Sequence, residues 1–77
     1  MPRFFFDIDD GAAVMRDDEG SDLSNLEAAQ REATETLVQM ARDVFRSRDQ
    51  GALSVAIRDE SGIPLRRVHL SLKVEDR

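Results

Sequence analysis

His69 is the only histidine among 77 residues, and the chain has no cysteine. Imidazole chemistry would have to run through that one residue. A general base there needs a carboxylate to orient it and a nucleophile within reach. Alternation along the C-terminal strand puts His69 on the outer face of a sheet beside Arg67 and Ser71. Asp7 or Asp9 can share that face, with Ser54 or Ser71 nearby. Each is a common residue type and the spacings form no motif, so His69 reads as an exposed strand histidine and no catalytic residue is assigned. One histidine without cysteine also leaves no zinc cluster to build.

The carboxylates are the next candidates. Asp7, Asp9 and Asp10 lie on one side of a hairpin, and Asp17, Asp18 and Glu19 on the other. Hard cations need several convergent oxygens, which two runs flanking one hairpin can supply. The calcium-loop pattern fails, however. Counted from Asp7, the position that needs glycine holds Ala12 and the position that needs glutamate holds Asp18. The cluster therefore reads as turn chemistry and solubility. Arg58, Arg66, Arg67 and Lys73 form a basic group that could meet phosphate, but only Phe5 is placed to stack on a base, and there is no Trp or Tyr. The four glycines are isolated turn residues rather than a phosphate-binding loop. No cofactor, metal or small-molecule substrate is implied.

The elements that position these residues follow from periodicity. Arg3 to Asp9 alternates Phe4, Phe6 and Ile8 against Phe5, Asp7 and Asp9, a strand with one buried face. Asp9-Asp10-Gly11 signals a turn, and Ala12 to Arg16 returns as a second strand with Val14 as its core candidate. Asp17 to Asp22 has no apolar residue and reads as a surface loop. Ser24-Asn25-Leu26-Glu27 forms a capping box, with Leu23 as the staple residue before it. Leu26, Ala29, Ala33, Leu37, Met40 and Val44 then recur by threes and fours, and Val38, Ala41 and Phe45 widen the stripe. With Gly51 as the stop, the helix is about 25 residues and roughly 37 Å long. A strand of seven or eight residues spans only ~25 Å. The helix must overhang its sheet, bend, or end early near Arg46. An overhanging end carrying Val44 and Phe45 needs cover.

Leu53 to Asp59 is the third strand, with Leu53, Val55 and Ile57 inward. Asp59-Glu60-Ser61-Gly62 makes a second hairpin turn, with Gly62 left-handed. The fourth strand runs from Leu65 to about Val74, with Val68, Leu70, Leu72 and Val74 inward. Leu65 has the wrong parity, which predicts a bulge near Arg66 and Arg67. The expected fold is α+β: a single β-β-α-β-β domain over residues 1–77, with a four-stranded antiparallel sheet and one long amphipathic helix on one face. The other face carries Phe5, Met15, Ala56, His69 and Ser71 without cover. That face, or a strand edge, is a natural place to dimerise.

Composition narrows the function classes. No stretch approaches the ~20 apolar residues of a membrane span. The three phenylalanines after Arg3 are too short for the apolar region of a signal peptide, and the lack of cysteine fits a reducing compartment, so a cytoplasmic protein is expected. The net charge is −5. It is uneven: residues 1–38 hold three basic and ten acidic residues, and residues 39–77 hold eight and six. An acidic chain is repelled by phosphate backbones, so nucleic acid is disfavoured. The asymmetry suits a head-to-tail contact or a basic partner.

Several segments carry a resemblance. They are Met1-Pro2-Arg3-Phe4-Phe5-Phe6, Asp18-Glu19-Gly20, Leu23-Ser24-Asn25-Leu26-Glu27-Ala28-Ala29 with Glu32-Ala33, and Val68-His69-Leu70-Ser71-Leu72-Lys73-Val74. Together they resemble a family of short alphaproteobacterial proteins, common in rhizobia, classed as a domain of unknown function. Its members open Met-Pro-Arg-Tyr-Phe-Phe and carry Asp-x-x-Gly before a Leu-x-x-Leu-x-x-Ala helix start; here Phe4 replaces the tyrosine. The resemblance covers nearly the whole chain and implies a shared fold but no activity. The acidic hairpin followed by a helix opening Leu-Glu-Ala-Ala is also similar to the N-terminal domain of HicB-type antitoxins, which implies a small basic toxin as partner. The strand count differs and no DNA-binding domain follows. The resulting expectation is a non-enzymatic, self-associating interaction module, with Phe5, Met15, Phe45 and His69 as interface candidates and an antitoxin-like binder as the alternative.

Overall fold

A computed structural model describes the chain from Met1 to Arg77. The elements are β1 (Arg3–Asp9), β2 (Val14–Met15), β3 (Ser21–Asp22), α1 (Leu26–Val44), β4 (Gly51–Arg58) and β5 (Pro64–Leu72). One antiparallel sheet runs β2-β1-β4-β5, with β3 pairing β1 beyond β2. α1 packs on one face of it. The expected α+β architecture holds, with a fifth, two-residue strand added.

The core is one seam. Phe4, Leu53, Val55 and Ile57 from the sheet meet Ala29, Ala33 and Leu37 from α1, and all seven are buried. Two alanines one helical turn apart let the helix backbone sit close on β4, while Leu37 fills the space beyond them. Phe6, Ile8, Leu26, Met40, Val44, Phe45, Val68 and Leu70 pack around this seam, half-buried. Val38, expected to widen the apolar stripe, is exposed instead. No helix is long and apolar enough to cross a membrane.

α1 is shorter than its apolar period implied, and its cap lies one residue later. Asn25, not Ser24, is the N-cap: its Oδ1 accepts the Ala28 amide at 2.8 Å. The helix ends at Val44, with the Phe45 amide donating to the Ala41 carbonyl. Nineteen residues are about 28 Å long, close to the ~26 Å of the eight-residue β4. The overhang is therefore avoided by an early end. Phe45 folds back against the core, where its ring lies beside Gly51; a Cβ on Gly51 would come 3.3 Å from Phe45 Cε1. Gly51 is the first residue of β4 rather than the helix stop.

Two more expectations change. The first hairpin pairs Ile8 with Met15 and Asp9 with Val14. Directly opposite residues share a face, so Met15 lies on the helix side and Val14 on the outer side, the reverse of the expected alternation. The turn sets this register, and a one-residue difference flips every side chain. At the other hairpin, Ile57 pairs with Arg66 but Arg58 pairs with Pro64, so Leu65 is the extra residue of the bulge. The bulge sits one or two residues before its expected place. Val74 lies past the end of β5 and is exposed, so it is not part of the inward set.

Candidate functional site

The face of the sheet away from α1 carries two polar groups of different character. At one end Phe5 and Arg58 are cross-strand partners, as are Asp7 and Ala56. Arg58 Nε donates to Asp7 Oδ2 at 2.8 Å, and its Nη2 donates to the Asp17 carbonyl at 2.7 Å. Its guanidinium carbon lies 4.7 Å from the centre of the Phe5 ring, a cation–π contact. Phe5 is thus covered by Arg58, not an open patch.

Asp17 completes this end. Its Oδ2 accepts the Phe6 amide at 3.0 Å, and its Oδ1 accepts the Glu19 and Gly20 amides at 3.0 Å each. Its own amide donates to Asp7 Oδ1 at 2.9 Å. The segment read as a surface loop is therefore a lid laid along β1. Gly20 permits it: φ is +74°, and a Cβ there would come 2.9 Å from Arg3 Cγ and from Phe5 Cε2. Arg3 adds a clasp, donating to Asp22 and to the Glu19 carbonyl. The signal for this hub was present in the sequence as Asp17 three residues before Gly20, the Asp-x-x-Gly pattern, which composition alone reads as a polar loop.

These bonds set the electrostatics. Burial works to raise the Asp7 pKa, but the Arg58 hydrogen bond, the Asp17 amide and the Arg58 charge outweigh it and hold it below the ordinary value. Asp17 behaves alike: burial raises it, and the Gly20, Phe6 and Glu19 amides more than reverse the effect. Arg58 is pushed up, first by its hydrogen bond to Asp7. The cation at this end is Arg58 itself, which takes the Asp7 carboxylate and the Asp17 carbonyl, and no group of three or more His, Asp or Glu side chains is arranged to hold a metal ion.

At the other end the register aligns Asp9, Ser54 and His69 in one row across β1, β4 and β5. These are the residues that sequence parity placed on a common face. The order is wrong for a relay, because Ser54 stands between the acid and the imidazole, whereas an activated serine needs the imidazole in the middle. Ser54 is buried, and its Oγ accepts from Arg67 Nη1 at 3.3 Å. Asp9, Gly11, Ser54, Arg67 and His69 contribute to the lining of an open pocket of about 450 Å³. Of the other interface candidates, Met15 is 57 % exposed on the short β2, and Phe45 is half-buried at the end of α1.

A helix over one face and a polar, partly concave opposite face define a small two-layer α+β domain. The chain belongs to the family described as a domain of unknown function, DUF6894, whose model matches residues 3–71. The match begins with β1 and ends one residue short of the end of β5. No curated protein and no solved structure matches the chain.

Proposed function

We propose that this domain is a non-enzymatic interaction module that self-associates through the free edge of β5. The observation that carries the reading is how protection is distributed along that edge. Strand edges are kept from pairing by proline, bulges and charge. In β5 all three fall in the first half, as Pro64, the Leu65 bulge, and Arg66 with Arg67. The next five residues, Val68 to Leu72, contain no lysine, arginine or carboxylate, no proline and no bulge.

That stretch is self-complementary. An antiparallel pair with its twofold at Leu70 sets Val68 opposite the partner's Leu72, and His69 opposite the partner's Ser71. No charged pair falls inside the window, and each sheet continues into the next. The outer-face chemistry supports the non-enzymatic part: Asp7, Asp17 and Arg58 are spent on one another, and Ser54 is engaged by Arg67.

Light scattering across a concentration series gives the first test. A Leu70→Cys variant then gives the register, since the chain has no other cysteine and any disulfide must join two copies. Rapid oxidation to a covalent dimer is expected, with Leu65→Cys slower. A monomeric mass throughout, with no faster cross-linking at Leu70, would overturn the proposal.

A further inference from the structure

The pocket on the outer face holds an acid and a base that are not paired with each other or with any other charge. None of the molecule's five ion pairs includes Asp9 or Arg67. Asp9 is held in place by the Gly11 amide, which donates to its Oδ1 at 2.8 Å. Arg67 is held by Ser54 Oγ, and Ser54 lies directly across from Asp9 in the β1–β4 register. Adjacent strands are about 4.8 Å apart, so the guanidinium hangs one strand away from the carboxylate. Both are fixed by hydrogen bonds that leave them apart.

We infer that this pocket binds a small zwitterion of the amino-acid type, with its ammonium on Asp9 and its carboxylate on Arg67. An anion alone would meet Asp9, and a cation alone would meet Arg67. Only a ligand carrying both charges satisfies both walls. The Ser54 hydroxyl, whose oxygen accepts from Arg67, has its proton free to donate to the ligand carboxylate between them. His69 stands across Ser54 from Asp9, on the same side as Arg67, and can donate to the same carboxylate. The volume of about 450 Å³ lies within the usual range for small-molecule sites, roughly 300–1,000 Å³. The inference does not depend on self-association.

The test is an amide NMR titration with glycine, β-alanine and γ-aminobutyrate, whose charges lie progressively farther apart. Acetate and methylammonium serve as the separate halves. At least one zwitterion should shift the Gly11, Ser54 and His69 amides saturably at millimolar concentration, and neither half should. Asp9→Asn keeps the oxygen that accepts from Gly11, and the exposed Arg67→Gln leaves the core untouched, so both variants should keep the native spectrum. Each should weaken binding by about tenfold or more. The inference is overturned if the halves act as strongly as the zwitterions, if no zwitterion saturates, or if both variants bind like the parent protein.

Discussion

The two edges of this sheet are protected in opposite ways. The outer edge of β1 is covered by structure: β2 pairs with its end, β3 with its start, and the Asp17 carboxylate takes the Phe6 amide in the gap between them. The edge of β5 has no cover, only sequence devices, and within the strand those stop at Arg67, with Lys73 just past its end. A chain that uses a lid, a largely buried outer-face arginine and a left-handed glycine to close one edge has left five residues of the other available. The contrast marks the stretch of β5 on which a partner strand would add, and substitutions at either edge test it.

Removing the hub of the lid should have the largest effect. Asp17→Ala leaves the Phe6, Glu19 and Gly20 amides without their acceptor, and melting should fall by roughly 10 °C or more in calorimetry. The same variant frees the β1 edge, so its aggregation on heating should exceed that of the parent. Gly20→Ala attacks the lid through its backbone, since the side chain must fit beside Phe5 at positive φ; a loss of about 1–3 kcal/mol in urea unfolding is expected.

Acid should loosen the same edge. The folded-state pKa values of Asp7 and Asp17 lie below the ordinary 3.8. Groups of this kind stabilise the fold fully above the unfolded value, and that contribution is lost as pH falls through the lowered folded value. Urea midpoints should therefore be flat near neutrality and drop below about pH 4. Asp17→Asn should flatten that drop. An unchanged acid slope in the variant would remove Asp17 from the account.

Smaller changes sharpen the β5 side. Arg67→Thr removes one blunting charge and should tighten self-association a few-fold in sedimentation equilibrium, with little change in melting. Met15→Ser, on the exposed helix side of the covered edge, should alter stability by less than about 0.5 kcal/mol and leave association unchanged. A dimer that weakened with Met15→Ser would move the interface to the β2 edge.

Much of this layout was legible before the structure. The alternation in Arg3–Asp9 and Leu53–Ile57 and the three-four spacing in α1 report burial directly, because a face either packs or does not. The placement of Asp9, Ser54 and His69 on one face also followed from parity. What the sequence hid was set by bonds between distant residues. Asp17 reads as loop until its carboxylate meets Phe6, eleven residues back. Phe5 reads as open surface until Arg58 lies over it. The faces of Val14 and Met15 depend on one residue of turn length, which composition does not encode.

The most direct test of the contrast between the edges is amide hydrogen exchange followed over a range of protein concentrations. The Phe6 amide should be protected at every concentration, because Asp17 covers it within one chain. Within Val68–Leu72, the amides not bonded to β4 should exchange freely in dilute solution and become protected as concentration rises. If those amides exchange freely at all concentrations while Phe6 stays protected, β5 does not pair with a second copy and the self-association account fails.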